Sequence, residues 1–164
     1  MIFKFSHHKN LMKNYLFLFL VFIFFSSCDK NVVFDKNVSL PENRWEKGNI
    51  ITLETEIKDT ITIHNIYINV RNAGGYHFSN LFVFFTTMAP SGKMERDTVE
   101  LTLADESGKW LGDGMGDIWD NRILFKNRFR FPEKGTYIFK LEQAMRFDIL
   151  PQIMDVGIRI EKTE

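Results

Sequence analysis

The sequence predicts an all-β domain: an antiparallel β-sandwich of jelly-roll or immunoglobulin-like type, preceded by a cleaved signal peptide and a short tether. Three observations carry this. Period-2 alternation of apolar and polar residues recurs through residues 51–161. Turn-forming residues separate the alternating runs at short intervals, and no long segment shows the 3.6-residue period of a helix. The expected boundaries are 1–27 for the signal peptide, 28–44 for a modified cysteine and tether, and 45–164 for the sandwich.

The leader differs in kind from the rest. Lys13 supplies a positive n-region, and Leu16 to Phe25 is an unbroken apolar run. That run has the length of a secretory h-region and about half of the roughly 20 residues a membrane-spanning helix needs. Met12-Lys13-Asn14 is itself a complete n-region, so Met12 is an alternative start. The run ends in Phe25-Ser26-Ser27-Cys28, large apolar, small, small, cysteine. That is the pattern of a bacterial lipobox, in which the thiol carries diacylglycerol, the leader is cut before the cysteine and the new amino group is acylated. A buried methylene contributes about 0.8 kcal/mol, so two or three chains anchor stably where one does not. The competing assignment, ordinary cleavage leaving Cys28 free, puts the sole cysteine of an exported chain where it invites intermolecular oxidation.

Residues 29–44 are polar with scattered Val and Phe, a tether leading into a first or edge strand that Pro41 ends. Ile51, Leu53, Thr55 and Ile57 alternate with Thr52, Glu54, Glu56 and Lys58, as in a half-buried strand. In 60–72 the parity changes between Ile61/Ile63 and Ile66/Ile68/Val70, which predicts a bulge or turn near His64-Asn65. Residues 80–88, NLFVFFTTM, are apolar on both faces, as a central strand is. Val99, Leu101 and Leu103 mark the next strand, and 122–131 another, closed by Pro132 and Gly135. Tyr137, Phe139 and Leu141 share a face in 136–143, and Val156, Ile158 and Ile160 point inward in 155–161. Residues 142–150 are expected to hold a helical turn stopped by Pro151.

Length and charge narrow the function classes. A chain of 164 residues suits one ordinary domain. Lys and Arg equal Asp and Glu at 21 each, but Lys4, Lys9 and Lys13 belong to the leader, where no acid occurs. Residues 28–164 therefore carry 18 basic against 21 acidic groups, a net of −3 that makes no case for nucleic acid.

The densest polar cluster, 103–120, carries Asp105, Glu106, Asp113, Asp117 and Asp120 among glycines. Asp-Gly loops supply the oxygens calcium needs, so Asp113, Asp117 and Asp120 are the calcium candidates. The spacing matches no EF-hand, and Gly112, Gly114 and Gly116 more plainly build a tight turn. His64 and His77 are the histidines left after the leader, and they read as edge or surface groups. No GxSxG elbow, HExxH helix or CxxC pair occurs, so no catalytic residue is assigned and no cofactor is expected. Trp45, Trp110 and Trp119 are candidates for an aromatic sugar-binding platform; core or interface packing is the competing role.

Several strings together resemble one family. YHFSNLFVFF (76–85), DTVELTLADESGKWLGDGMGDI (97–118) and FPEKGTYIFKLEQAMRFDILPQIMDVGIRIEK (131–162) are similar to the gliding motility lipoprotein GldH family of the Bacteroidetes. With the lipobox and the early NRW at 43–45, the resemblance spans nearly all of 28–162. The family has Gly more often where Gln152 stands. The resemblance implies a non-enzymatic, lipid-anchored accessory protein of the envelope machinery for gliding, linked to type IX secretion and acting with other envelope lipoproteins. The acyl-carrying cysteine maps onto Cys28. The expected location is the periplasmic face of the outer membrane, with the cell surface or inner membrane as alternatives; a carbohydrate-binding module is the alternative function.

Overall fold

The computed structural model describes residues 31–163, so Cys28 and the expected signal peptide lie outside the described residues. Eleven strands follow in order: β1 (Val32–Ser39), β2 (Arg44–Glu46), β3 (Ile51–Ile57), β4 (His64–Ala73), β5 (Asn80–Met88), β6 (Met94–Thr102), β7 (Asp113–Met115), β8 (Ile118–Phe129), β9 (Gly135–Gln143), β10 (Ile149–Pro151) and β11 (Ile153–Lys162). They form a five-stranded sheet ordered β1-β11-β4-β8-β7, a four-stranded sheet ordered β3-β9-β5-β6, and a small β10-β2 pair. All pairings are antiparallel.

The pairing decides between the two expected topologies. β5 pairs β6, β4 pairs β8, β3 pairs β9 and β1 pairs β11. The chain is thus one long hairpin folded about the β5–β6 turn and then rolled into two sheets. That is a jelly roll.

Alternation along each strand supplies the core. In β4 the even positions His64, Ile66, Ile68, Val70 and Asn72 are buried, and in β11 Val156, Ile158 and Ile160. From the other sheet come Leu53 and Ile57, Leu81, Val83 and Phe85, and Tyr137, Phe139 and Leu141. Phe85 of β5 meets Phe125 of β8 across the sandwich, ring centroids 4.5 Å apart. Trp45 on β2 is fully buried beside Leu150 of β10. An aromatic of its size removes about 150–250 Å² from water. Its indole N–H donates to the Asn49 carbonyl at 2.8 Å, so no polar atom is stranded.

Two expectations change and one is met. The segment ahead of Pro41 is a full edge strand from Val32, so the sandwich begins there and not at residue 45. The bulge expected near His64-Asn65 is present, because the β4–β8 ladder slips on either side of Ile66, and a turn at Asp59–Thr62 leaves Ile61 and Ile63 outside the strand. Residues 142–150 contain no helical turn. Gln143 accepts from the Met145 N–H at 3.0 Å and donates to the Phe147 carbonyl at 2.8 Å. This side chain serves the backbone groups a helix would otherwise pair, and the chain bends into β10.

The β6 edge is guarded. Asp97 lies opposite the buried Phe85 and so faces inward, where Lys126 of β8 reaches it at 3.5 Å and Glu95 at 3.7 Å. An inward charge on an edge strand disfavours the addition of another strand.

Candidate functional site

The outer face of the five-stranded sheet is organised by its ladders into rows. Ser39, Asp155, Arg71, Asp120 and Asp113 stand side by side across β1, β11, β4, β8 and β7. The next row is Asn37, Gly157, Asn69 and Arg122, and the one after it Asp35, Arg159, Tyr67 and Leu124. Each strand contributes its outward parity, while the inward parity builds the core.

Gly157 shapes this face. A Cβ there would stand 2.1 Å from Asn37 Oδ1 and 2.2 Å from the Lys36 carbonyl oxygen. The bare position lets Asn69 reach over it, its amide donating to Asn37 Oδ1 at 3.0 Å and Asp35 Oδ1 at 3.2 Å. The result is a polar groove of about 310 Å³, whose lining includes Asp35, Asn37, Asn69, Arg71, Asp120 and Asp155.

Its walls are tied to one another. Arg71 donates Nε and Nη2 to the two oxygens of Asp120, and Nη1 to Asp155 Oδ2 at 3.1 Å. The hydrogen bonding to Asp120 raises the Arg71 guanidinium above its ordinary value. Ser39 donates to the other Asp155 oxygen at 2.5 Å. Arg159 joins Asp35 to Glu161. Two features remain open. Arg122 lines the groove with no ion pair among the described residues, and the buried Asn69 Oδ1 accepts no hydrogen bond. A wall pre-set by its own hydrogen bonds, with spare donors and acceptors, suits reversible polar recognition.

The residues singled out in the sequence are distributed unevenly around this groove. Asp113 and Asp120 face each other in the β7–β8 ladder and both line it. Asp117 stands in the turn between those strands, beside Gly74. Asp120 is already engaged by Arg71, and no three His, Cys, Asp or Glu side chains converge as a metal site among the described residues. The three tryptophans build no common platform. Trp45 is in the core, Trp110 packs half-buried against it, and Trp119 lies over Gly114. His64 opens β4 and His77 lies beyond its far end, about 30 Å along a strand of this length, so they form no pair. Asp35, Asn37, Asn69, Arg71, Arg122 and Asp155 were not anticipated. Their signal was the run of polar outward positions on β1, β4, β8 and β11, which becomes a site only once register is known.

Known proteins place this scaffold. The family model described as GldH lipoprotein matches residues 32–160, from the start of β1 into β11. The chain belongs to the GldH lipoprotein family. A GldH relative from Christiangramia forsetii, a "Gliding motility lipoprotein GldH homolog", is 36% identical over 157 residues, 92% of this chain and 95% of its own. The "Gliding motility lipoprotein GldH" of Flavobacterium johnsoniae is 33% identical over 160 residues, covering 93% and 99%. Among solved structures, similar chains occur in the infectious bursal disease virus Gx strain (11% identity, TM-score 0.32) and in dimeric latent PorU from Porphyromonas gingivalis (9%, TM-score 0.32). Those alignments cover 79% and 83% of this chain but only 30% and 14% of the structures. The GldH family relationship rests on the sequence matches, which include the 103–120 loop and the β9–β11 segment.

Proposed function

We propose that this chain is a lipid-anchored, non-catalytic component of the envelope apparatus for gliding, linked to type IX secretion. It is acylated at Cys28, held on the periplasmic face of the outer membrane, and binds a protein partner through the polar groove of the five-stranded sheet. The observation that carries this reading is near full-length similarity to two proteins named as gliding motility lipoproteins, at 36% and 33% identity. The groove supports a binding role: its charges are pre-organised by Arg71 and Arg159, while Arg122 lines it with no ion pair among the described residues. A protein surface carrying both signs of charge complements such a wall and gains specificity from it.

The test is complementation of a gliding strain deleted for the gene. The wild-type chain should restore colony spreading and partition into detergent with its Cys28 acylated. Cys28→Ser should leave the protein in the aqueous phase and the colonies compact. Normal spreading and membrane retention by Cys28→Ser would overturn the proposal.

A further inference from the structure

We propose that the end of the sandwich where β1 begins lies against the lipid headgroups, with Ile61 seated in the bilayer interface and Lys58, Lys134 and Lys162 beside anionic phosphates. This rests on acylation of Cys28.

Chain reach sets the orientation. The Lys162 N–H donates to the Asn31 carbonyl at 2.8 Å, so sheet pairing is already in force at Asn31. Only Asp29 and Lys30 separate that residue from Cys28. An extended residue spans at most about 3.6 Å, so the acylated residue lies within about 11 Å of Asn31. A sandwich held that closely to its acyl chains cannot stand off in water. The end carrying Asn31 is the end that meets the membrane.

That end is built for it. Register brings the start of β1, the end of β11 and the start of β4 together through Val32↔Glu161 and Lys162↔His64. Ile57↔Gly135 adds the end of β3 and the start of β9. The β3–β4 connection projects from this edge with Ile61 80% exposed. Its shape is fixed, because Asp59 Oδ1 accepts the Ile61 N–H at 3.0 Å and the Thr62 N–H at 2.7 Å, and Oδ2 accepts the Thr62 hydroxyl. A hydrogen-bonded turn that displays an isoleucine is the shape of an interfacial anchor. Beside it a crevice of about 320 Å³ has Val32, Val33 and Ile57 in its lining together with Lys58 and Lys162.

Charge agrees with reach. Lys58, Lys134 and Lys162 make no ion pair among the described residues, leaving them for external anions. Of the acids at this end, Asp59 is held by its turn, Glu133 by the Ser91 N–H and hydroxyl, and Glu161 by Arg159, while Glu56 lines the crevice beside Lys58. At the opposite end, in the 103–120 loop, Asp105 is likewise held by its own turn, and Glu106, Asp113 and Asp117 stand against one cation, Lys109. A bilayer containing anionic lipid therefore favours the first end over the second.

The test uses the acylated full chain in vesicles of phosphatidylethanolamine and phosphatidylglycerol. With Cys28 acylated, an introduced cysteine is the only thiol. An environment-sensitive fluorophore on Ile61→Cys should shift to the blue and be quenched severalfold more by nitroxide-labelled lipid than the same label on Met115→Cys at the far end. Combining Ile61→Cys with Lys58→Glu and Lys162→Glu should reduce that quenching. Equal quenching at the two positions, in protein that floats with the vesicles, overturns the orientation alone. Failure to float removes the anchor and the orientation with it.

Discussion

Arg71 grips Asp120 with two hydrogen bonds, Nε to Oδ1 at 2.6 Å and Nη2 to Oδ2 at 3.2 Å, directly across the β4–β8 ladder. The pair is half-exposed, at 43% and 54% of side-chain surface, so solvent screens it. Arg71→Ala is expected to lower stability by only about 1 kcal/mol or less. Its larger effect is on the groove, where Asp120 and Asp155 lose their shared cation. Arg71→Lys keeps the charge without the fork and should behave as an intermediate. Urea unfolding measures the first effect; a loss beyond about 3 kcal/mol would mean that Arg71 holds up the fold and not the site.

Gly157 is the residue on which the groove floor depends. A methyl group there would meet β1 backbone, which cannot rotate away as a side chain can. Gly157→Ala should cost about 1–3 kcal/mol and loosen β1 selectively. Hydrogen exchange would show faster exchange in residues 32–39 than in β4 or β9. Unchanged protection of β1 would contradict the packing described.

His64 gives the domain a pH dependence with a definite sign. It is 3% exposed, its Nδ1 has no hydrogen-bond partner, and its ring stands edge-on to Phe131. Burial lowers its pKa below the usual histidine value, with Asp59 opposing the shift. Below about pH 6.5 the unfolded chain therefore takes up a proton that the folded chain refuses, and stability falls with pH in that window. His64→Phe should remove this part of the slope. Unfolding free energies for both chains from about pH 8 to about pH 5 give the difference, and parallel curves would refute it.

Much of the fold was legible in the sequence, because its strands have one wet and one dry face. Ile51/Leu53/Ile57 and Val156/Ile158/Ile160 declare their parity, and both sets are buried as expected. β1 was less visible. As an edge strand it has half-buried Val32, Val33, Phe34 and Val38 interrupted by exposed Asp35, Lys36 and Asn37, a pattern a tether also shows. The bend after Gln143 was hidden for another reason. Its shape comes from one side chain bonding Met145 and Phe147, which periodicity does not encode. The groove was least visible, since Asp35, Asn69, Arg122 and Asp155 become neighbours only through long-range register. The Asp-rich 103–120 loop attracted notice for its composition, yet it contributes only Asp113 and Asp120 to the groove lining.

Gln152 occupies left-handed backbone, with φ of 70°, between β10 and β11. Its N–H donates to the Asn43 carbonyl, and its own carbonyl accepts from Ala73. A side chain in that region costs about 1–2 kcal/mol, which the greater freedom of an unfolded glycine partly offsets. Gln152→Gly should therefore raise stability by up to about 1 kcal/mol. Thermal unfolding checks it, and a lowered midpoint would show that the glutamine side chain does more than tolerate the turn.

The central claim, that this lipoprotein works by holding an envelope protein against the five-stranded sheet, is tested most directly by photo-crosslinking in whole cells. A photoreactive amino acid at Leu124, 47% exposed in the row beside Arg122, should give discrete adducts with one or a few envelope proteins. The same group at Thr52, exposed on the opposite sheet, should not, and Arg71→Ala or Arg122→Ala should weaken the Leu124 adducts. Adducts equally abundant at Thr52, or none at Leu124 in cells that glide, would contradict the account.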